Sequence, residues 1–262
     1  MSSRLWVALA VYVLWVAITL FGAKWLLGGR QAPLEELVKN GVGWQFVAAA
    51  ALLIGAIAVF QWRDVKFVAP RSLLEVMWFP MLVLLAISSL VTLTGLPGGT
   101  VMFWVAFNTF LVGLSEEVMF RGVLFRALLE NFKVWPAIIV TTLLFGAVHV
   151  FNGFTTGQWG TSVLQAVSAC MSGLIFMAIV IRTGSIWPAI VYHWAWDCAL
   201  FLMKTGSQTK GIEADPAQTE RLMNSPAMFL PMLLVLPNFL CALVLLRKVR
   251  DASFRRADTA TI

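Results

Sequence analysis

Residues 100–131 have the sequence TVMFWVAFNTFLVGLSEEVMFRGVLFRALLEN, and this stretch decides the fold. Its first half is a nearly unbroken apolar run, of the kind that crosses a bilayer in about 20 residues. Two adjacent acids, Glu116 and Glu117, interrupt the run, and Arg121 follows four residues after the second acid. A carboxylate inside a bilayer costs at least about 2.5–3.5 kcal/mol, so these residues indicate a functional site within a membrane helix.

The composition of the whole chain agrees with a membrane protein. Of its 262 residues, 60% are hydrophobic and 12% are charged, whereas soluble domains average about 45–50% apolar and about 25% charged residues. This excludes an ordinary soluble enzyme, and the long continuous apolar runs exclude a transmembrane β-barrel. The net charge of +6 does not indicate nucleic acid, because membrane proteins carry excess Lys and Arg for orientation. The lipid bilayer is therefore the expected partner, without nucleic acid.

We predict an all-α, polytopic membrane protein with about eight transmembrane helices in a single membrane-embedded domain over residues 1–262. The first apolar run is longer than that of a signal peptide and has no typical cleavage site after it, so we expect a retained helix. The eight candidate spans are 5–27, 44–62, 76–96, about 100–131, 135–151, 162–181, 185–203 and 228–246.

The distribution of Lys and Arg predicts the orientation of the chain. With eight spans both termini share one side, and that side receives 13 of the 19 basic residues, against 6 on the other. Basic loops stay in the cytoplasm, so we expect both termini to be cytoplasmic. The compact length favours a bacterial protein, in the cytoplasmic membrane.

Two further motifs place ionisable residues inside apolar runs. The chain has only two histidines, and both belong to such motifs. Phe145 and His149 form F-x-x-x-H in the fifth span, and His193 and Asp197 form H-x-x-x-D in the seventh. Residues four apart lie on one face of a helix. Each motif therefore presents both of its side chains on the same side.

The same spacing divides the roles of the two glutamates. Glu117 and Arg121 are four residues apart and are expected to pair. Glu116 lies about 100° further around the helix and is left free for proton transfer.

A hairpin between the fourth and fifth spans brings two motifs together. Its turn lies near Phe132 and Lys133, and Glu116 and His149 are equally far from it along their helices. We therefore expect them to face each other, in a site that opens on the cytoplasmic side. We expect the seventh span to join them, because His193 needs partners in lipid. The first span carries no intramembrane acid or histidine and is expected to stand outside the cluster.

These side chains support two kinds of chemistry. A buried carboxylate can take a proton from water, and histidines can orient that water and hold a developing oxyanion, as peptide-bond hydrolysis requires. The same set could also hold a divalent metal such as zinc. The residues alone do not separate these two possibilities. Other intramembrane protease signatures are absent, since the chain contains no H-E-x-x-H, G-x-S-G or G-x-G-D.

The three motifs in this order resemble the CPBP family, which contains CAAX-prenyl endopeptidases and their bacteriocin-processing bacterial relatives and is also called the ABI family. The family pattern is E-E-x-x-x-R, then F-x-x-x-H, then H-x-x-x-N or H-x-x-x-D, on successive membrane helices. The matching core runs over about residues 100–203.

The resemblance implies an intramembrane endopeptidase, often described as a metalloprotease, that acts on a peptide, a lipoprotein or a membrane protein. It implies that Glu116 activates water with help from His149, and that Glu117 and Arg121 form a supporting pair. It also implies that His193 and the residue at position 197 stabilise the oxyanion. Asp197 stands where the eukaryotic enzymes carry asparagine, and an ionised aspartate cannot donate to an oxyanion. It would instead orient His193 or bind a metal.

Two other functions compete with this interpretation. A non-catalytic immunity or scaffold protein would keep the fold, but a degenerate member should have lost one of the polar residues. A proton-coupled transporter would show repeats or broken half-helices in matching halves, and the sequence shows no repeat. The resemblance does not by itself imply true CAAX processing, because bacteria generally do not prenylate such substrates.

Overall fold

The computed structural model describes residues 2–209, 225–252 and 254. Within these residues the protein is helical and contains no strand, which confirms the predicted all-α polytopic fold. Each predicted span corresponds to one long helix. These helices are α1 (Ser3–Leu26), α2 (Trp44–Val59), α3 (Leu73–Thr94), α4 (Gly99–Leu129), α5 (Val134–Val150), α6 (Trp159–Thr183), α7 (Trp187–Thr209) and α8 (Leu230–Leu246).

Two of the eight helices differ from ordinary membrane spans. By length and composition six helices in the described part of the chain can cross a bilayer, and α2 and α7 are not among them. Helix α2 has 16 residues, which corresponds to about 24 Å against a hydrocarbon core of about 30 Å. Helix α7 has 23 residues and is long enough, but it carries His193, Asp197 and Lys204.

Charged contacts join several chain segments at one face of the bundle. Arg4 pairs with Asp64 at 2.7 Å and with Glu130 at 3.1 Å. The carboxylate of Asp251 accepts a hydrogen bond of 3.0 Å from the backbone N–H of Val134, at the start of α5. The beginning of α1, the α2–α3 and α4–α5 loops and the end of α8 therefore meet at this face. We call it the basic face, because it is the side to which the charge count assigned 13 basic residues.

The opposite face is covered by the segment 28–43, which connects α1 to α2 and which we call the cap segment. Glu35 of the cap segment is buried and pairs with Lys204 of α7 at 2.7 Å. The side chain of Gln208 donates a hydrogen bond of 2.8 Å to the same carboxylate. The N–H of Ala32 bonds the carbonyl of Thr155 at 2.9 Å. The helices thus run alternately between two faces, as eight crossings require.

Asn108 of α4 fixes the end of the cap segment. Its buried side-chain amide donates to the carbonyl oxygens of Val38 and Gly41, at 2.9 and 2.7 Å. Its oxygen accepts from the N–H of Gly43 at 2.8 Å. A side chain therefore satisfies backbone groups that would otherwise be buried without partners.

Helix α4 changes its winding directly after the two glutamates. Val118–Leu124 is a π-helix, and the N–H of Phe125 bonds the carbonyl of Phe120 five residues earlier. Such wide turns often occur at functional sites. All residues of this segment are buried. Over Val118–Leu124 the helix therefore departs from the 3.6-residue period, and it is α-helical again over Phe125–Leu129.

Glycines allow the helices around the ionisable residues to approach closely. A Cβ atom at Gly113 of α4 would lie 3.1 Å from the backbone nitrogen of Trp194 in α7. At Gly146 of α5 it would lie 2.7 Å from the carbonyl oxygen of Ala166 in α6. Small residues at such crossings are typical of packed membrane helices.

The close approach at Gly146 predicts the stability of two alanine variants. Gly146→Ala should lower the free energy of unfolding by about 1–3 kcal/mol, because the added methyl group overpacks the α5–α6 contact. Gly55→Ala is the matched control, since no atom lies within 4 Å of a Cβ at Gly55 of α2. It should be neutral or stabilising, by up to about 1 kcal/mol. Thermal unfolding of the purified variants in detergent compares them, and equal shifts would contradict the close approach.

Candidate active site

Helices α4, α5 and α7 bring the ionisable residues of the three motifs to one cavity. Its volume is about 300 Å³, and Glu116, His149, His193 and Asp197 all line it. His193 Nε2 lies 3.8 Å from Glu116 Oε2. The predicted convergence of these three helices is therefore confirmed.

Glu117 and Arg121 form the predicted pair beneath the cavity. The guanidinium lies 3.0 Å from Glu117 Oε1, and both side chains are 0% exposed. Arg121 also donates a hydrogen bond of 2.7 Å to the carbonyl oxygen of Gly173 in α6. Its Cζ atom lies 4.4 Å from the ring centroid of Phe145 and 5.3 Å from that of Phe176. A carboxylate, a carbonyl group and aromatic faces thus compensate the buried cation.

Glu117 also holds His193. The same oxygen that binds Arg121 lies 2.8 Å from His193 Nδ1. Because an ionised carboxylate can only accept, Nδ1 carries the proton in this hydrogen bond. Nε2 then points to Asp197 Oδ2, at 3.4 Å, and to Glu116. The ring stacks on Phe176 with centroids 4.5 Å apart and planes inclined by 16°.

Glu116 has a different environment from Glu117. Its side chain is 15% exposed, against 0% for Glu117, and it makes no ion pair with Arg121 among the described contacts. The Oε2 atom of Glu116 is buried, and no described protein group hydrogen bonds to it. Oε2 of Glu117 also has no described hydrogen-bond partner, so the two glutamates differ in their exposure and in the ion pair with Arg121. The structure therefore agrees with a free Glu116 beside a paired Glu117.

His149 is oriented by its own helix. Its Nδ1 atom lies 2.8 Å from the carbonyl oxygen of Phe145, one turn earlier. A carbonyl oxygen only accepts, so Nδ1 is the protonated nitrogen and Nε2 of the neutral ring is free to accept. His149 and Glu116 both line the cavity.

Two expectations about the surroundings of the site are wrong. Helix α1 does not stand outside it, because Trp15, Val16, Thr19, Leu20 and Ala23 form part of the cavity wall. Helix α1 was expected outside the site because it carries no acid or histidine. Its apolar side chains nevertheless form a wall of the cavity, which needs apolar walls as well as polar groups.

The cavity also extends away from the α4–α5 turn rather than towards it. Its wall includes Leu34, Leu37 and Val38 of the cap segment and Lys204 near the end of α7. His149 is the second-last residue of α5 and thus lies at the end opposite the turn. Equal distance from the turn predicted that Glu116 and His149 lie close to one cavity. It could not predict towards which end of the helices this cavity extends.

The residues present do not fit a metal ion in this arrangement. No group of three or more His, Cys, Asp or Glu side chains in the described part of the chain is placed to hold one. Both ring nitrogens of His193 already face carboxylates. We therefore assign no step to a metal.

Sequence analysis did not identify Gly173 and Phe176, although both contact Arg121 or His193. Both belong to α6, an apolar helix with no motif. An aromatic residue in such a helix carries no signal that separates it from ordinary packing. The contacts are visible only once α6 is placed against α4 and α7.

The segment that carries the three motifs matches a family model of known proteins. Residues 98–199 match the family model of the type II CAAX prenyl endopeptidase Rce1-like proteins. This segment contains all seven residues of the three motifs, and it is similar to that family of integral membrane endopeptidases. The resemblance drawn from the motifs is confirmed. A search of curated proteins finds no significant match.

The buried pair predicts the stability of variants at Arg121. Arg121→Met should lower the free energy of unfolding by about 3–5 kcal/mol, because it leaves the Glu117 carboxylate buried without its cation. The double variant Glu117→Gln/Arg121→Met should recover part of this loss. Lys39→Met is the control, since it removes a partly exposed pair with Glu36 and should cost no more than about 1 kcal/mol. Unfolding in detergent compares the variants; a double variant no more stable than Arg121→Met would contradict this account of the pair.

Proposed function

We propose that this protein is an intramembrane endopeptidase in which Glu116 activates the water that hydrolyses a peptide bond. One observation carries the proposal. Glu116 lines one cavity with two histidines and an aspartate, and its side chain makes no ion pair with Arg121 among the described contacts. The adjacent Glu117 is committed to Arg121 and His193.

The reaction begins with the water. Glu116 takes a proton from it as a general base, while the free Nε2 of His149 accepts the other hydrogen bond of the water and fixes its direction. The water oxygen attacks the carbonyl carbon of the substrate and forms a tetrahedral intermediate. Glu116 then gives its proton to the leaving nitrogen, and the C–N bond breaks to a new carboxylate and a new amine.

His193 acts on the charge that develops on the carbonyl oxygen. Its Nδ1–H is bound by Glu117, so the ring orientation is fixed before substrate arrives. With Nε2 protonated, His193 donates to the oxyanion. The carboxylate of Asp197 lies 3.4 Å from this nitrogen, so its negative charge stabilises the protonated ring, and Asp197 serves as a positioning residue. An aspartate can thus replace the asparagine of the eukaryotic enzymes without donating a hydrogen bond itself.

The cavity walls favour a substrate that is associated with the membrane. Apolar residues of α1 and the cap segment surround the polar cluster. A peptide, a lipidated peptide or a segment of a membrane protein can place apolar groups against them, with the bilayer as the surrounding partner. A prenylated C-terminus belongs to this class, but the proposal does not require it.

The roles of the two glutamates are tested by glutamine variants. Glu116→Gln should lower cleavage of a peptide library by at least about 10²–10⁴-fold, because the general base is lost while the shape is kept. Its folding should be unchanged. Glu130→Gln is the matched control, since Glu130 lies at the basic face, and it should cleave like wild type. Cleavage products measured by mass spectrometry decide the result; equal cleavage by wild type and Glu116→Gln would contradict the role of Glu116 as general base, and no cleavage by the wild type would favour a non-catalytic protein of the same fold.

We also propose that the basic face is cytoplasmic and that the cavity extends towards the outer side of a bacterial cytoplasmic membrane. The positive-inside rule supports this orientation. The cap segment lies at the opposite face from Arg4 and Glu130, and it contributes to the cavity wall. Substrate would then approach from the outer side.

Cysteine labelling tests this orientation. Asn40 of the cap segment and Lys133 at the basic face are both exposed. In intact cells, a membrane-impermeant maleimide should label Asn40→Cys, and it should label Lys133→Cys only after permeabilisation. The parent protein measures the background from Cys170, Cys198 and Cys241. The reverse pattern would place the cavity towards the cytoplasm.

A further inference from the structure

Two side-chain amides that no motif includes lie in the wall of the same cavity. Asn152 belongs to the short helix Asn152–Thr156 that follows α5, and Gln165 belongs to α6. Both line the cavity together with Glu116 and His149. Asn152 Nδ2 donates to Gln165 Oε1 at 2.9 Å. Two helices that flank the site are therefore joined by an amide pair.

The pair has hydrogen-bonding capacity left. After the mutual bond, Asn152 keeps its oxygen as an acceptor and Gln165 keeps its NH₂ group as a donor. If both amides are turned round, Gln165 supplies the acceptor and Asn152 the donor, so the outcome is the same. Both residues are half-buried, and none of their atoms is among the buried polar atoms without a partner. One acceptor and one donor thus lie side by side with access to the cavity.

The hydroxyl groups of Thr19 and Ser115 in this wall already use their only donor and keep acceptor capacity alone. The hydroxyl of Thr19 donates to the carbonyl of Trp15 in its own helix, at 3.0 Å. The hydroxyl of Ser115 donates to the carbonyl of Val112, at 3.2 Å. The amide pair differs from these hydroxyl groups because it offers a donor and an acceptor side by side in the cavity wall.

An extended peptide has the complementary groups. The N–H and C=O of one residue in an extended chain point to the same side, as they do in antiparallel pairing. A donor and an acceptor side by side can bind both groups at once, as an edge strand does in peptide recognition. Such contacts are independent of the substrate side chains, and they fix the direction of the chain.

We propose that the pair Asn152–Gln165 is a main-chain binding subsite that holds one extended substrate residue by its N–H and C=O. The subsite rests on the proposed endopeptidase function. Asn152 follows His149 by three residues in the sequence, and both line the cavity, so the subsite lies beside His149. Both side chains are binding residues, and the chemistry remains with Glu116 and the histidines.

The experiment combines substrate N-methylation with variants of the pair. In a cleavable peptide, each backbone N–H near the scissile bond is methylated in turn. Methylation at one position should lower kcat/KM of the wild type by about 5–30-fold, as expected for one lost hydrogen bond to a polar site. The double variant Asn152→Leu/Gln165→Leu should have a raised KM and should no longer respond to methylation at that position.

Matched controls separate this subsite from a structural role. Gln158→Leu changes an exposed glutamine at the start of α6, and it should keep the wild-type methylation profile. If the double leucine variant does not fold, Gln165→Glu provides the second test, because it keeps the shape and replaces the donor by an acceptor. It should lower kcat/KM for every peptide and change the methylation profile.

The outcomes distinguish the two proposals. A wild type that cleaves peptides, with variants that keep the same methylation profile, would overturn the subsite and leave the endopeptidase intact. A wild type that cleaves no unmethylated peptide would overturn the proposed function itself.

Discussion

The structure depends on one buried carboxylate oxygen. Glu117 Oε1 accepts from Arg121 at 3.0 Å and from His193 at 2.8 Å, and both glutamate and arginine side chains are fully buried. Leaving either charge alone in this environment would cost several kcal/mol. Helices α4 and α7 are therefore fixed relative to each other by an interaction that tolerates little displacement. The carbonyl of Gly173 adds α6 to the same cluster.

This constraint determines what the neighbouring glutamate can do. Since Glu117 binds both partners, Glu116 remains in the cavity wall without an ion pair to Arg121 among the described contacts. His193 is held by its Nδ1 atom and presents Nε2 to the same space. Two adjacent residues of one sequence motif thus have separate tasks, one in holding the helices and one in the proposed chemistry. A π-helical segment, Val118–Leu124, directly follows the two glutamates and locally changes the winding of α4.

Spacing within one helix predicted part of this site, and tertiary packing determined the rest. The pair Glu117–Arg121 followed from a separation of four residues, which is a property of the helix alone. The partnership of Glu117 with His193 did not follow, because it depends on how α7 packs against α4. The contribution of α1 to the cavity wall did not follow from the sequence either. The cavity was expected to open towards the α4–α5 turn, and it extends towards the cap segment instead. The fold class followed from composition and from the long continuous apolar runs, because only helices and closed β-barrels satisfy the backbone in lipid and barrels are built from short alternating segments.

The central claim is that Glu116 activates water and does not itself attack the substrate. A single turnover in H₂¹⁸O with excess enzyme tests it, because an attack by the carboxylate would pass through an anhydride. The account predicts one ¹⁸O atom in the new C-terminal carboxylate of the product and none in Glu116, both measured by mass spectrometry. An unlabelled first product, with ¹⁸O found in the Glu116 side chain, would show that the carboxylate is the nucleophile and would contradict the account.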